Sequence, residues 1–92
     1  MKINFKQFRL KDGIGIDDFH MANVQMELAT VLYDKGTGLA CHALAMKIHN
    51  SEDGLVDLSR REYVTLLAFS EDMMTPKFID SLRAYDTEGE QG

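Results

Sequence analysis

The segment Asp34-Lys35-Gly36-Thr37-Gly38 constrains this chain more than any other, because it places two glycines within three residues between two apolar, helix-periodic runs. Gly36 and Gly38 supply the permissive backbone at which a helix stops, and Thr37 is suited to cap the next one. Upstream, Met21, Val24, Leu28, Val31 and Leu32 recur at three- and four-residue steps, with Asp17 and Asp18 at the expected helix start. Downstream, Leu39–His49 is rich in alanine and apolar nearly all round, which predicts a central helix buried on several sides. Two helices joined so briefly form an antiparallel hairpin.

Before this pair the chain reads as extended. Ile3 and Phe5 point one way in a strand and Phe8 and Leu10 the other, so a bulge or break is expected near Lys6 and Gln7. The stretch FRLKDGIGI then reads as a β-hairpin. A two-residue Asp12-Gly13 loop would split its apolar residues between faces. A three-residue Lys11-Asp12-Gly13 loop pairs Leu10 with Ile14 and Phe8 with Ile16 on one face, and is the expected register.

After the pair, Leu55–Asp57 is expected to be extended, and Ser59 three residues ahead of Glu62 has the spacing of a capping box that starts a third helix. Tyr63, Leu66, Leu67, Ser70 and Met74 share one face of that helix, with Phe69 outside its centre. Thr75-Pro76 ends it and caps a last helix, which buries Phe78, Ile79, Leu82 and Tyr85. The fold class is therefore α+β, an N-terminal β-hairpin packed on three to four α-helices. Residues 1–85 form a single small globular domain and 86–92 a disordered acidic C-terminal tail.

With 92 residues, only about 60 to 65 % of the unfolded surface can be buried, so stability is marginal. No apolar run approaches the roughly 20 residues of a membrane span, and one cysteine permits no internal disulfide; a cytoplasmic protein without membrane contact is expected. Residues 1–11 carry Lys2, Lys6, Arg9 and Lys11 and no acid, a net +4, whereas residues 12–92 set six bases against fifteen acids, a net −9. Such a leader is a candidate phosphate contact, although nucleic acid ranks below the simpler role of balancing an acidic body.

The stretch Leu39–His49 also offers the chain's one apparent cluster of chemistry, Cys41, His42 and His49. Neighbours on a helix diverge by about 100°, and His49 lies about 10 Å along the axis from His42, too far to share a metal even with His20. Cys41 among alanine and leucine reads as a small buried hydrophobe. Asp17-Asp18 and Glu71-Asp72 are explained by helix-start charge and solvated surface. The glycine patterns match no phosphate-binding loop, and the second helix is too apolar to read DNA. The chain is therefore read as non-enzymatic, with no catalytic residue, cofactor or metal, and as an interaction or accessory protein with an unidentified protein partner. Its general layout looks like that of short accessory proteins of bacterial prophages and mobile elements, and no functional residue is carried over from that likeness. Six methionines and eight aromatic residues exceed what so short a chain can cover. That excess predicts a homodimer centred on Phe69 and Met73 of the third helix.

Overall fold

The computed structural model describes residues 1–15 and 18–91, with side chains to residue 86. The order is β1 (Lys2–Asn4), β2 (Phe8–Lys11), β3 (Phe19–Ala22), α1 (Gln25–Lys35), α2 (Gly38–His49), β4 (Leu55–Asp57), α3 (Arg60–Met73) and α4 (Pro76–Gln91). The fold is α+β, with an N-terminal hairpin against helices and two small antiparallel sheets, β1–β4 and β2–β3.

The expected break at Lys6 and Gln7 divides these sheets. Asn4 Oδ1 accepts the amides of Lys6 at 3.0 Å and Gln7 at 3.1 Å, an Asx-type turn that lets Ile3, Phe5 and Phe8 all face the core. β1 pairs with β4 through Ile3 and Val56, continued by a bond from the Phe5 amide to the Gly54 carbonyl. Gly54 has a φ of +81°, and an added Cβ would lie 2.8 Å from the Lys6 amide nitrogen, so glycine is required twice over.

The hairpin forms, but not in the expected register. β2 pairs with Phe19–Ala22, so that Phe8 lies opposite Ala22 and Leu10 opposite His20. Ile14 is fully exposed in the connecting loop, and Ile16 lies outside the described residues. A three-residue loop would give Phe8 and Leu10 apolar cross-strand partners. They do not need them, because helix α4 and the leader supply apolar contact instead. Phe8 stacks on Phe5, Phe78 and Tyr85 with ring centroids 6.0, 5.1 and 5.2 Å apart. The loop is closed by Asp12, whose amide donates to the Asp18 carbonyl and whose carboxylate meets His20 Nδ1 at 2.7 Å.

Use of Phe19–Ala22 as a strand moves the start of α1 to Gln25 and takes Met21 off the helical stripe. Asn23 serves this start, accepting the Gln25 amide at 3.3 Å. The helical pair about Gly36 is as expected. Gly36 lets α1 and α2 approach so closely that a Cβ there would meet the Leu32 carbonyl and the Cys41 side chain. α2 packs on both α1 and α3, but it buries one stripe only, Cys41, Leu44, Ala45 and Ile48. Leu39 is 87 % exposed, a correction to the all-round burial its composition suggested. An apolar residue marks a possible face, and only the neighbouring elements determine which faces are covered.

α3 opens with the capping box complete: Ser59 Oγ accepts the Glu62 amide and the Glu62 carboxylate accepts the Ser59 amide. Tyr63, Leu66, Phe69 and Ser70 are its buried residues, which brings Phe69 into the core. The Tyr63 hydroxyl donates to the Leu82 carbonyl at 2.9 Å and joins α3 to α4. Thr75 Oγ1 accepts the Phe78 amide at the start of α4, which buries Phe78 and Leu82 as its sequence predicts. The α4 backbone stays helical past Tyr85 to Gln91, through most of the segment read as an acidic tail. The large aliphatic and phenylalanine side chains at 0 to 2 % exposure, from Ile3 to Leu82, come from both ends of the chain, each worth about 1.5 to 3 kcal/mol when fully buried.

Candidate functional site

Two sheets of two strands have four outer edges, and an unpaired edge is a template for another strand. Three of these edges are occupied or guarded.

Along β2 the amides of Arg9 and Lys11 point away from β3 toward α4. There the Tyr85 hydroxyl accepts the first and Ser81 Oγ the second, both at 2.9 Å. Along β4 the Leu55 amide donates to Asp53 Oδ1, and the Leu55 carbonyl accepts from Ser51 Oγ. The Asp57 carbonyl accepts from Lys47 Nζ, which also holds both oxygens of the Glu62 carboxylate. Bonds from the Ser59 amide and Lys47 hold the Glu62 carboxyl below its usual value. β1 is three residues long, carries exposed Lys2 on its edge and ends in the Asn4 turn. A charged, short edge of this kind resists pairing.

Among the described residues β3 has no such cover. Because the Arg9 and Lys11 amides face α4, the hydrogen-bonded pairs of the hairpin are Phe8 with Ala22 and Leu10 with His20. The N–H and C=O groups of Phe19 and Met21 therefore face outward, and among the described residues nothing bonds to them. Their side chains are 47 and 57 % exposed. They share a sheet face with Arg9 and Lys11, and the Arg9 guanidinium lies 5.6 Å from the Phe19 ring and 4.4 Å from the Tyr85 ring.

Of the expected dimer centre, Met73 is half exposed, whereas Phe69 is 8 % exposed and belongs to the core. Both border a cavity of about 430 Å³ between α2 and α3, with Cys41 and Val64, and with Lys35 and Asp72 among its polar residues. The four leader cations are divided. Lys2 lies on β1 and Lys6 in the following turn, where its ammonium donates to the Glu52 carbonyl; Arg9 and Lys11 lie on the other sheet. Cys41 is buried, while His42 and His49 are exposed; His42 packs near Tyr33, and His49 Nδ1 lies 3.2 Å from Asn50 Oδ1. Among the described residues no three His, Cys, Asp or Glu side chains are grouped to hold a metal ion. Asp18 is exposed with Asp17 outside the described residues, and Glu71 pairs with Arg83. No described helix is long and apolar enough to cross a membrane.

Sequence reasoning missed the β3 edge because Met21 fitted the helical stripe of α1. The available signal was the alternation Phe19, Met21 between Asp18 and Asn23, which is that of a short strand before a helix. The chain matches no family model, no curated protein and no solved structure.

Proposed function

We propose that this chain is a non-enzymatic protein-interaction module of the cytoplasm, an accessory protein that works by binding. The observation that supports this reading best is the β3 edge. It offers outward backbone donors and acceptors together with two half-exposed apolar side chains, while hydroxyls, a carboxylate or a lysine attend the other three edges. Strand addition to such an edge draws affinity from backbone hydrogen bonds and specificity from alternate side chains. The lone buried thiol of Cys41 suits a reducing compartment. Phosphate binding by Lys2, Lys6, Arg9 and Lys11 is the weaker alternative, since two of the four already hold a carbonyl or aromatic rings and the set spans two sheets.

Affinity capture from the native cell tests this reading when the wild-type chain is compared with Met21→Pro. Proline removes an amide that has no acceptor within the described residues and a side chain that is 57 % exposed, so the fold is expected to be retained and the edge broken. Capture by the wild type and its loss in Met21→Pro is the expected result. Identical capture by both proteins would contradict it.

A further inference from the structure

We infer that the strand added to the β3 edge is β3 of a second copy of this chain, paired antiparallel about a twofold axis at His20. This rests on the reading of β3 as an interaction edge and names its occupant. The outward groups belong to Phe19 and Met21, which flank His20 symmetrically. A twofold axis at His20 sets Phe19 of each copy opposite Met21 of the other. Those are the hydrogen-bonded pairs of the new ladder, each exchanging two N–H···O bonds, and His20 opposite His20 is the non-hydrogen-bonded pair between them.

The charges agree with this occupant. β3 contains no lysine, arginine, aspartate or glutamate, so two copies meet without opposed formal charges along the edge. Each new row on one face reads Arg9, Met21, then Phe19 and Lys11 of the second copy, with the cations on the outer strands and the apolar side chains together at the centre. Methionine against an aromatic ring is a favourable contact, and cations three strands apart are farther from each other than the Debye length of about 8 Å at physiological salt. Pairing also converts two isolated two-stranded ribbons into one four-stranded sheet, whose outer β2 strands are each already packed on their own α4. The same test fails elsewhere: Lys2 would meet the incoming strand at β1, and the α4 hydroxyls would have to be displaced at β2.

The test uses the whole chain. Light scattering from low micromolar to millimolar concentration is expected to show the mass rise from the 10.4 kDa monomer to twice that value, with Met21→Pro remaining monomeric and circular dichroism verifying its fold. In a Cys41→Ala background, His20→Cys reports the register. Non-hydrogen-bonded antiparallel partners have Cα atoms about 4.5 Å apart, within the roughly 4.4 to 6.8 Å span of a disulfide, so mild oxidation is expected to give a covalent dimer. Leu39→Cys on exposed α2 is expected to stay monomeric under the same oxidation. A wild-type monomer at every concentration overturns the inference. If capture from the cell is still lost in Met21→Pro, that monomer removes the second copy as occupant and leaves the edge itself standing. A dimer that persists in folded Met21→Pro, or that fails to cross-link through His20→Cys more than through Leu39→Cys, also overturns it.

Discussion

The Arg9 amide donates to the Tyr85 hydroxyl at 2.9 Å, a bond between residues 76 positions apart that closes the outer edge of β2 with a side chain from α4. The same tyrosine ring stacks on Phe8 and lies under the Arg9 guanidinium. One side chain thus both packs the hairpin and takes up its outward backbone.

Tyr85→Phe keeps the ring and removes the acceptor. The loss of stability in urea is expected to be about 1 to 2 kcal/mol, the net value of a hydrogen bond plus part of the cost of leaving a half-buried amide unpaired. The Arg9 amide is expected to exchange with solvent faster in this variant, while the Lys11 amide keeps the Ser81 acceptor.

Gln25 is a buried polar residue whose Nε2 donates to the carbonyls of Ile48 at 2.9 Å and Ser51 at 2.6 Å, closing the C-terminal end of α2 from α1. Gln25→Leu retains the bulk, removes the only side-chain donor to the Ser51 carbonyl among the described residues, and leaves the Ile48 carbonyl with its backbone donors at the helix end alone. Chemical denaturation is expected to show a loss of about 1 to 3 kcal/mol. A loss no greater than that of an exposed substitution such as Thr30→Ala would show that water satisfies those carbonyls equally well.

The Glu62 carboxyl is held below its ordinary value near 4.5, first by the Ser59 amide and then by Lys47. A carboxyl depressed in the folded state contributes stability that is complete above its unfolded value and lost as pH falls through the folded one. The difference in stability between wild type and Glu62→Gln is therefore expected to hold constant from neutrality down to about pH 5 and to shrink below about pH 4. Denaturation midpoints measured at a series of pH values check this.

Phe69 and Met73 are expected to behave differently although they border one cavity. Phe69→Ala empties a core position and is expected to cost about 3 to 5 kcal/mol, much of the stability of so small a domain. Met73→Asp, at a half-exposed site, is expected to stay within about 1 kcal/mol of wild type and to leave self-association through β3 unchanged. A folded Met73→Asp that is monomeric where the wild type dimerises would return the contact surface to α3.

Most helices were legible in the sequence because their signals are local. Gly36 and Gly38, the Ser59 and Glu62 box and the Thr75-Pro76 cap each act within one turn of chain, and α2, α3 and α4 begin where they stand. The hairpin register was not legible, because it depends on what lies beneath Phe8 and Leu10. Once Phe78 and Tyr85 of α4 fill that space, the returning strand no longer has to bring the isoleucines. The candidate site followed the same rule. Phe69 looked surplus on a helical wheel and is enclosed by tertiary packing, whereas Met21 looked buried and is exposed on an edge. Which strand edge is open depends above all on Tyr85 and Ser81, which lie 76 and 70 positions from the amides they accept. No local pattern encodes these two, whereas Ser51 and Lys47 act on β4 from 4 and 10 positions away.

Amide hydrogen exchange followed by NMR across a concentration series tests the open edge most directly. At low concentration the amides of Arg9 and Lys11 are expected to be protected while those of Phe19 and Met21 exchange freely. At high concentration Phe19 and Met21 are expected to gain protection as β3 pairs, and Arg9 and Lys11 to remain as they were. Phe19 and Met21 amides already protected at high dilution, or equally unprotected at every concentration, would contradict the account.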